Sequence, residues 1–251
     1  MSGHSKWAGI KHQKAIVDKK KGKLFSKITN MMTVAAREGG GDPASNFKLR
    51  LAIERAKEIN MPKDNIERAI KRGTGEISGA ILEEITYEGY GPGGVALLIQ
   101  VLTGNKNRAA SEVRSILTRY GGHMGESGSV AWIFKKKGQI IVDLSDRVPE
   151  KEDIVLKAID LGATDVDEEK KQIIIYCDPR ELEKIKKEIE SLEFKVIASE
   201  IAFIPKQEIK ITNEKEAGSV LKLVEALEDL DDVSEVHTNF DIPESLIRSL
   251  I

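Results

Sequence analysis

The sequence predicts an α+β, multidomain fold: an N-terminal all-α helical domain followed by two ferredoxin-like α+β domains, the third inserted in the second. Three observations lead there. Apolar residues recur at helical spacing through residues 22–70 and switch to a period of two beyond residue 80. Residues 138–203 read as βαββαβ, a split-βαβ unit. The elements on either side of that stretch are too few to bury a core separately, but together they complete a second sheet. The expected division is residues 1–77, residues 78–134 with 205–251, and residues 135–204.

Residues 1–20 are polar and basic without a strong period and read as an arm, partly helical. Leu24, Ile28, Met31, Met32 and Ala35 mark a helix over 22–37, which Gly39-Gly40-Gly41 ends. Leu49, Ala52, Ile53, Ala56 and Ile59 line a second helix over 46–59. After Pro62, Asp64 with Glu67 fits a capping box for a third, short helix. That helix turns Ile66, Ala69 and Ile70 inward and closes at Gly73. Thr74 to Gly79 is small and polar and reads as a hinge.

Ile81, Ile85 and Tyr87 then alternate with polar residues, as in a half-buried strand. Gly89 to Gly94 must turn, and Val95 to Leu102 is apolar enough for a central strand. Asn105 to Tyr120 is a helix with Ala110, Val113, Leu117 and Tyr120 inward, and Val130 to Phe134 a strand. In the βαββαβ unit, strands fall at 139–144, 164–166, 173–177 and 194–201, with helices over 152–161 and through Leu182, Ile185, Ile189 and Leu192. A strand at 207–211, a helix carrying Ala217, Leu221, Val224 and Leu227, and a strand at 236–240 complete the chain.

Net charge is −2 overall, which hides an asymmetry. Residues 1–73 carry 17 Lys and Arg against 7 Asp and Glu, and the remainder 22 against 34. A basic segment joined to an acidic remainder points to a polyanion partner for that segment. Lys19, Lys20, Lys21 and Lys23 cluster, and Lys20, Lys23 and Lys27 share one helical face. Arg68, Lys71 and Arg72 do the same on the third helix. Lys supplies mobile point charges for phosphates, Arg planar forks. Trp7 lies in the polar stretch Ser5-Lys6-Trp7, where an aromatic serves either as a stacking residue or as a packing anchor. Phe25, beside Leu24, reads equally as stacking or core. The acidic remainder offers a surface to a basic protein partner.

Other function classes find no support. No apolar run approaches the roughly 20 residues of a membrane span, and one Cys cannot make an internal disulfide. Met1 to Lys14 lacks an apolar segment of the secretory kind, so a cytoplasmic location is expected. The four histidines have no metal-ligand spacing, and Cys177 ends an apolar strand, as core cysteines do. The glycine run at 89–94 precedes a strand and contains Pro92, so it reads as a hairpin and not as a dinucleotide loop. Gly22-Lys23 lacks the partner residues of a P-loop, and no Gly-x-Ser-x-Gly elbow occurs. The expectation is a non-enzymatic protein with no cofactor and no metal. A ligand-sensing regulator working through the βαββαβ unit is a different class that the same elements permit.

The motifs resemble the YebC family, which includes transcriptional regulators and the mitochondrial translational activator of cytochrome oxidase. The matching stretches are Gly3-His4-Ser5-Lys6-Trp7, Ile10-Lys11-His12, Gly39-Gly40-Gly41-Asp42-Pro43, Asn60 to Ile66 and Arg68 to Gly73 in the basic segment. Beyond it they are Tyr87 to Gly94, Asn107-Arg108 and Gly128-Ser129-Val130. Residue 9 is Gly where many members have Asn. The resemblance implies three domains, no enzyme activity and a role in gene expression. In one version members bind promoter DNA and regulate transcription. In the other they act on the ribosome, relieve slow or stalled synthesis, and Gly3 to Trp7 with Lys11-His12 reach toward ribosomal RNA. The candidate nucleic-acid contacts are therefore Lys6, Trp7, Lys11, His12, Lys14, Lys19, Lys20, Lys21, Lys23, Lys27, Arg68, Lys71 and Arg72.

Overall fold

The computed structural model describes residues 21–144, 151–168 and 172–250. Three helices come first: α1 (Lys21–Gly39), α2 (Phe47–Glu58) and α3 (Lys63–Gly73). Ile28, Met32, Ala35, Leu49, Ala52, Ala56 and Ala69 form their core, with Phe25 packed against it. Asn46 caps α2 through its side-chain oxygen, which accepts from Leu49 N, while its amide donates to Ala35 O at 2.7 Å and Gly40 O at 2.8 Å. The capping box expected at Asp64 and Glu67 does not form. Extended Pro62 is the N-cap of α3 and offers no side-chain bond, so Asp64 already lies inside the helix and Glu67 pairs with Lys63 instead.

The first sheet starts with β1 (Glu83–Tyr90), β2 (Ala96–Thr103), α4 (Lys106–Arg119) and β3 (His123–Met124). The chain then leaves it for a second sheet: β4 (Phe134–Asp143), α5 (Lys151–Asp160), β5 (Asp165–Glu168), β6 (Gln172–Cys177), α6 (Leu182–Ser191) and β7 (Lys195–Pro205). It returns through β8 (Ile209–Lys210), α7 (Glu214–Glu228), β9 (Val233–Thr238), β10 (Phe240–Asp241) and α8 (Glu244–Leu250).

The first sheet has the order β3-β1-β2-β9 and is antiparallel throughout. Its last strand comes from beyond the second sheet, so the third unit is inserted in the second. Leu97, Ile99 and Val101 of β2 meet α4 and α7 on one face, while Ala96 and Leu98 meet Val130, Ile133 and Phe134 on the other. Burial on both faces is why β2 is apolar along its length. The second sheet has the order β5-β6-β4-β7, the arrangement that βαββαβ connections give a ferredoxin-like unit. Its helices α5 and α6 cover Ile140, Val142, Ile173 and Ile175. Cys177 is in that core, and burial, aided by Asp178 and Glu181, pushes its thiol up to about 11.

Several local expectations are corrected. Residues 131–133 form a single 3₁₀ turn, and the strand begins only at Phe134, continuing unbroken into β4. Residues 207–211 do not join the first sheet, because β8 pairs with β10 in a separate two-stranded ribbon. Ala109, not Ala110, is the buried alanine of α4. Ile81 is exposed ahead of β1, and Leu192 is exposed at the end of α6. The helix α8, which seats Ile247 in the first-sheet core, was not expected.

Candidate nucleic-acid interface

Lys6, Trp7, Lys11, His12, Lys14, Lys19 and Lys20 lie outside the described residues, as does the side chain of Lys21. The remaining five candidates divide between two helices with different surroundings. On α1, Lys23 Nζ donates to the carbonyl of Asp229 at 2.9 Å, and Lys27 Nζ donates to that of Glu228. Those carbonyls close the C-terminal end of α7, where orphan acceptors and the helix dipole both favour a cation. Helical spacing thus puts Lys23 and Lys27 on one face as expected, and that face docks on the second unit.

On α3 the arrangement is the reverse. Gly73 faces α1 so closely that a Cβ there would lie 2.4 Å from Thr33 O, and the Thr33 hydroxyl donates to Ala69 O at 3.2 Å. This fixes which side of α3 points outward. Arg68 and Lys71 are on that exposed side. Lys63, absent from the sequence-derived set, joins them with its side chain 87% exposed. Arg72 is half-buried, its stem lying along Gly79, and its buried Nε has no hydrogen-bond partner among the described residues. The described part of the candidate interface is therefore a short helix whose exposed cations, Lys63, Arg68 and Lys71, are interspersed with the exposed carboxylates of Asp64 and Glu67, the latter paired with Lys63.

A set of residues that charge counting missed holds this helical unit against the other two. Arg55 of α2 reaches between Glu200 of β7 and Glu235 of β9, bonding Glu235 Oε1 at 2.6 Å. Burial works against the guanidinium charge, but attraction to Glu235 and Glu200 outweighs it and raises its pKa. Burial likewise opposes the Glu235 carboxylate, yet Arg55 and His237 hold it well below its ordinary value. His237 Nε2 stands 3.4 Å from Glu235. Arg50 pairs with Glu183, Lys186 pairs with Glu54 at 2.7 Å, and Phe47 and Leu51 pack on the third unit's core. A cavity of about 140 Å³ remains where the three units meet, lined by Arg55, Glu84, Glu200, Phe203 and Glu235 among others. Arg55 carries no sequence signal beyond being a cation on the inner half of an amphipathic helix.

Asp232 accepts from Thr103 at 2.8 Å and Arg108 at 2.6 Å, tying β2 and α4 to the loop before β9. No group of His, Cys, Asp and Glu among the described residues could hold a metal ion. No helix among them is long and apolar enough to cross a membrane.

A helical unit with a positive charge balance is thus braced by ion pairs on two α+β units. Residues 5–76 match the family model for the TACO1/YebC protein N-terminal domain, and residues 82–240 that for the TACO1/YebC second and third domain. The chain belongs to the TACO1/YebC family. A relative from Halothermothrix orenii is 52% identical over 250 residues, covering 100% of this chain and 99% of its own. One from Thermotoga maritima is 48% identical over 252 residues, covering 100% and 98%. Both carry the description "Probable transcriptional regulatory protein". The crystal structure of a conserved hypothetical protein from Aquifex aeolicus is similar at a TM-score of 0.82 and 46% identity, over 91% of this chain and 93% of that one.

Proposed function

We propose that this protein is a non-enzymatic, DNA-binding regulator of transcription in the cytoplasm, contacting nucleic acid through its basic N-terminal unit. We take that unit to span residues 1–77, with the second comprising 78–134 and 205–251 and the third 135–204. The observation that carries this reading is the pair of exposed cations Arg68 and Lys71 on α3, on the one unit with a large positive balance. The arm residues Lys6 to Lys20 extend the same unit and add phosphate contacts. The relatives' description supports the transcriptional sense. Lys23 and Lys27 contribute by seating the unit on the end of α7.

The test is fluorescence anisotropy with a duplex, comparing the wild type with an Arg68→Glu, Lys71→Glu variant. The variant loses at least tenfold in affinity while its melting temperature is unchanged; equal affinity overturns the interface. A second measurement fixes the target. The protein is sedimented with ribosomes in the presence of excess duplex DNA. Remaining with the DNA supports transcription, and co-sedimentation with ribosomes overturns it in favour of a translation factor.

A further inference from the structure

The second unit displays an aromatic surface that packing does not explain. Trp132, on the turn before β4, is 61% exposed. Exposed indoles forgo hydrophobic stabilisation and are ordinarily mobile, but this one is fixed. Its Nε1 donates to Ser129 O at 3.0 Å, and the Tyr90 hydroxyl donates to the same carbonyl, also at 3.0 Å. Tyr90 in turn stacks on His123, with ring centroids 5.4 Å apart. The loop carrying Ser129 is pinned from beneath by the Glu88 carboxylate, which accepts from Gly128 N and Val130 N at 2.6 Å and Ala131 N at 2.8 Å. Lys206 Nζ donates to the Trp132 backbone carbonyl at 2.7 Å, so a cation is anchored on the same residue. Two motifs of the sequence, Tyr87 to Gly94 and Gly128-Ser129-Val130, thus converge to hold a tryptophan face toward solvent.

A fixed aromatic face loses little entropy on binding. Every base presents a π-face to it, and a neighbouring cation serves the adjoining phosphate. A protein hot spot instead sets its tryptophan among apolar neighbours in a pocket, whereas Glu126, Ser127 and Gly128, which lead into the Ser129 loop that holds Trp132, are exposed and not apolar. Bases inside a duplex cannot reach such a face. We propose that Trp132, held through the Ser129 carbonyl it shares with Tyr90 and carrying Lys206 on its own carbonyl, is a stacking platform for an unpaired base of a nucleic-acid strand. This rests on the nucleic-acid reading above and adds a second contact, on a different unit and for a different form of the polymer.

The experiment is fluorescence anisotropy with labelled 12-nucleotide strands of uridine (RNA) and thymidine (DNA) and with a duplex. It uses the full chain and its Trp132→Leu and Trp132→Phe variants. Affinity for a single strand falls about tenfold in Trp132→Leu and is largely restored in Trp132→Phe. Duplex affinity is unchanged in both, and the strand quenches indole emission in the wild type more than in Trp132→Leu. The strand bound more tightly identifies RNA or DNA as the source of the base. Single-strand affinity equal in wild type and Trp132→Leu overturns the platform, including the case where this face meets a protein, and leaves duplex binding through α3 standing. Failure of the wild type to bind either strand or duplex overturns the platform and the proposed function together. A melting curve for Trp132→Leu, with the Phe variant as the folded reference, separates lost binding from lost fold.

Discussion

At the scale of single residues, two charged side chains do most to fix the geometry. Arg55 keeps its side chain 25% exposed and Glu235 21%, so their pairing is largely withdrawn from water. Truncating Arg55 to Ala strands two carboxylates, and the expected loss is about 3 kcal/mol, read from the midpoint of urea unfolding. Glu235 also sets a pH dependence. Its carboxyl titrates below the ordinary 4.5 in the folded protein, so its contribution is full above that value and is lost as pH falls toward the folded-state value. The melting temperature therefore drops as the solution is acidified below about pH 4.5, and it drops less steeply in Glu235→Gln. Glu88 works locally. Burial raises its pKa, but the three backbone N–H groups of the 128–131 loop prevail and lower it. Glu88→Ala leaves those donors without their acceptor and costs about 2 kcal/mol by thermal unfolding, with faster hydrogen exchange at Val130 and Ala131.

At the scale of elements, periodicity was a dependable guide and partners were not. The apolar spacing of α1, α2 and α3 is a property of each helix alone, so their inward faces follow from the sequence. The capping box at Asp64 fails because proline supplies the extended residue that starts the helix two positions earlier. Residues 131–133 and 207–211 have strand composition, but whether they pair depends on what lies beside them, which composition does not encode. The same holds for the interface. Lys23 and Lys27 were placed correctly on one face, yet their acceptors are more than 200 residues away in the chain. Arg55 and Trp132 have no local signature, since their roles exist only after β7, β9 and the Ser129 loop come together. Asn46 gives this scale its own prediction. It caps α2 and also ties the end of α1 to it, so Asn46→Ala costs about 2 kcal/mol, more than a cap alone, as judged by the unfolding midpoint.

At the scale of the molecule, α2 bridges the three units through its ion pairs, and α1 adds a second contact at the end of α7. Calorimetry of the wild type is expected to give one transition. Removing Arg50 and Arg55 together uncouples the helical unit, which then melts first as a separate transition. Charge segregation gives a second global prediction. With about six phosphate contacts, the logarithm of the affinity falls with the logarithm of salt at a slope of about −5. The slope becomes shallower by roughly one for each outward α3 cation removed.

The strand order also dictates a timetable. In synthesis β2 is finished at residue 103, but its second neighbour, β9, begins only at residue 233. At roughly 5–20 residues per second, that interval is on the order of ten seconds. Throughout it, the most apolar strand of the molecule has one unpaired edge, the kind of edge on which aggregation starts. The inserted unit has no such wait, since its own four strands are complete at residue 205. The guest is finished before its host. Chains cut short between residues 205 and 233 would carry a completed inserted unit on an open, adhesive sheet, and are natural clients for holdase chaperones.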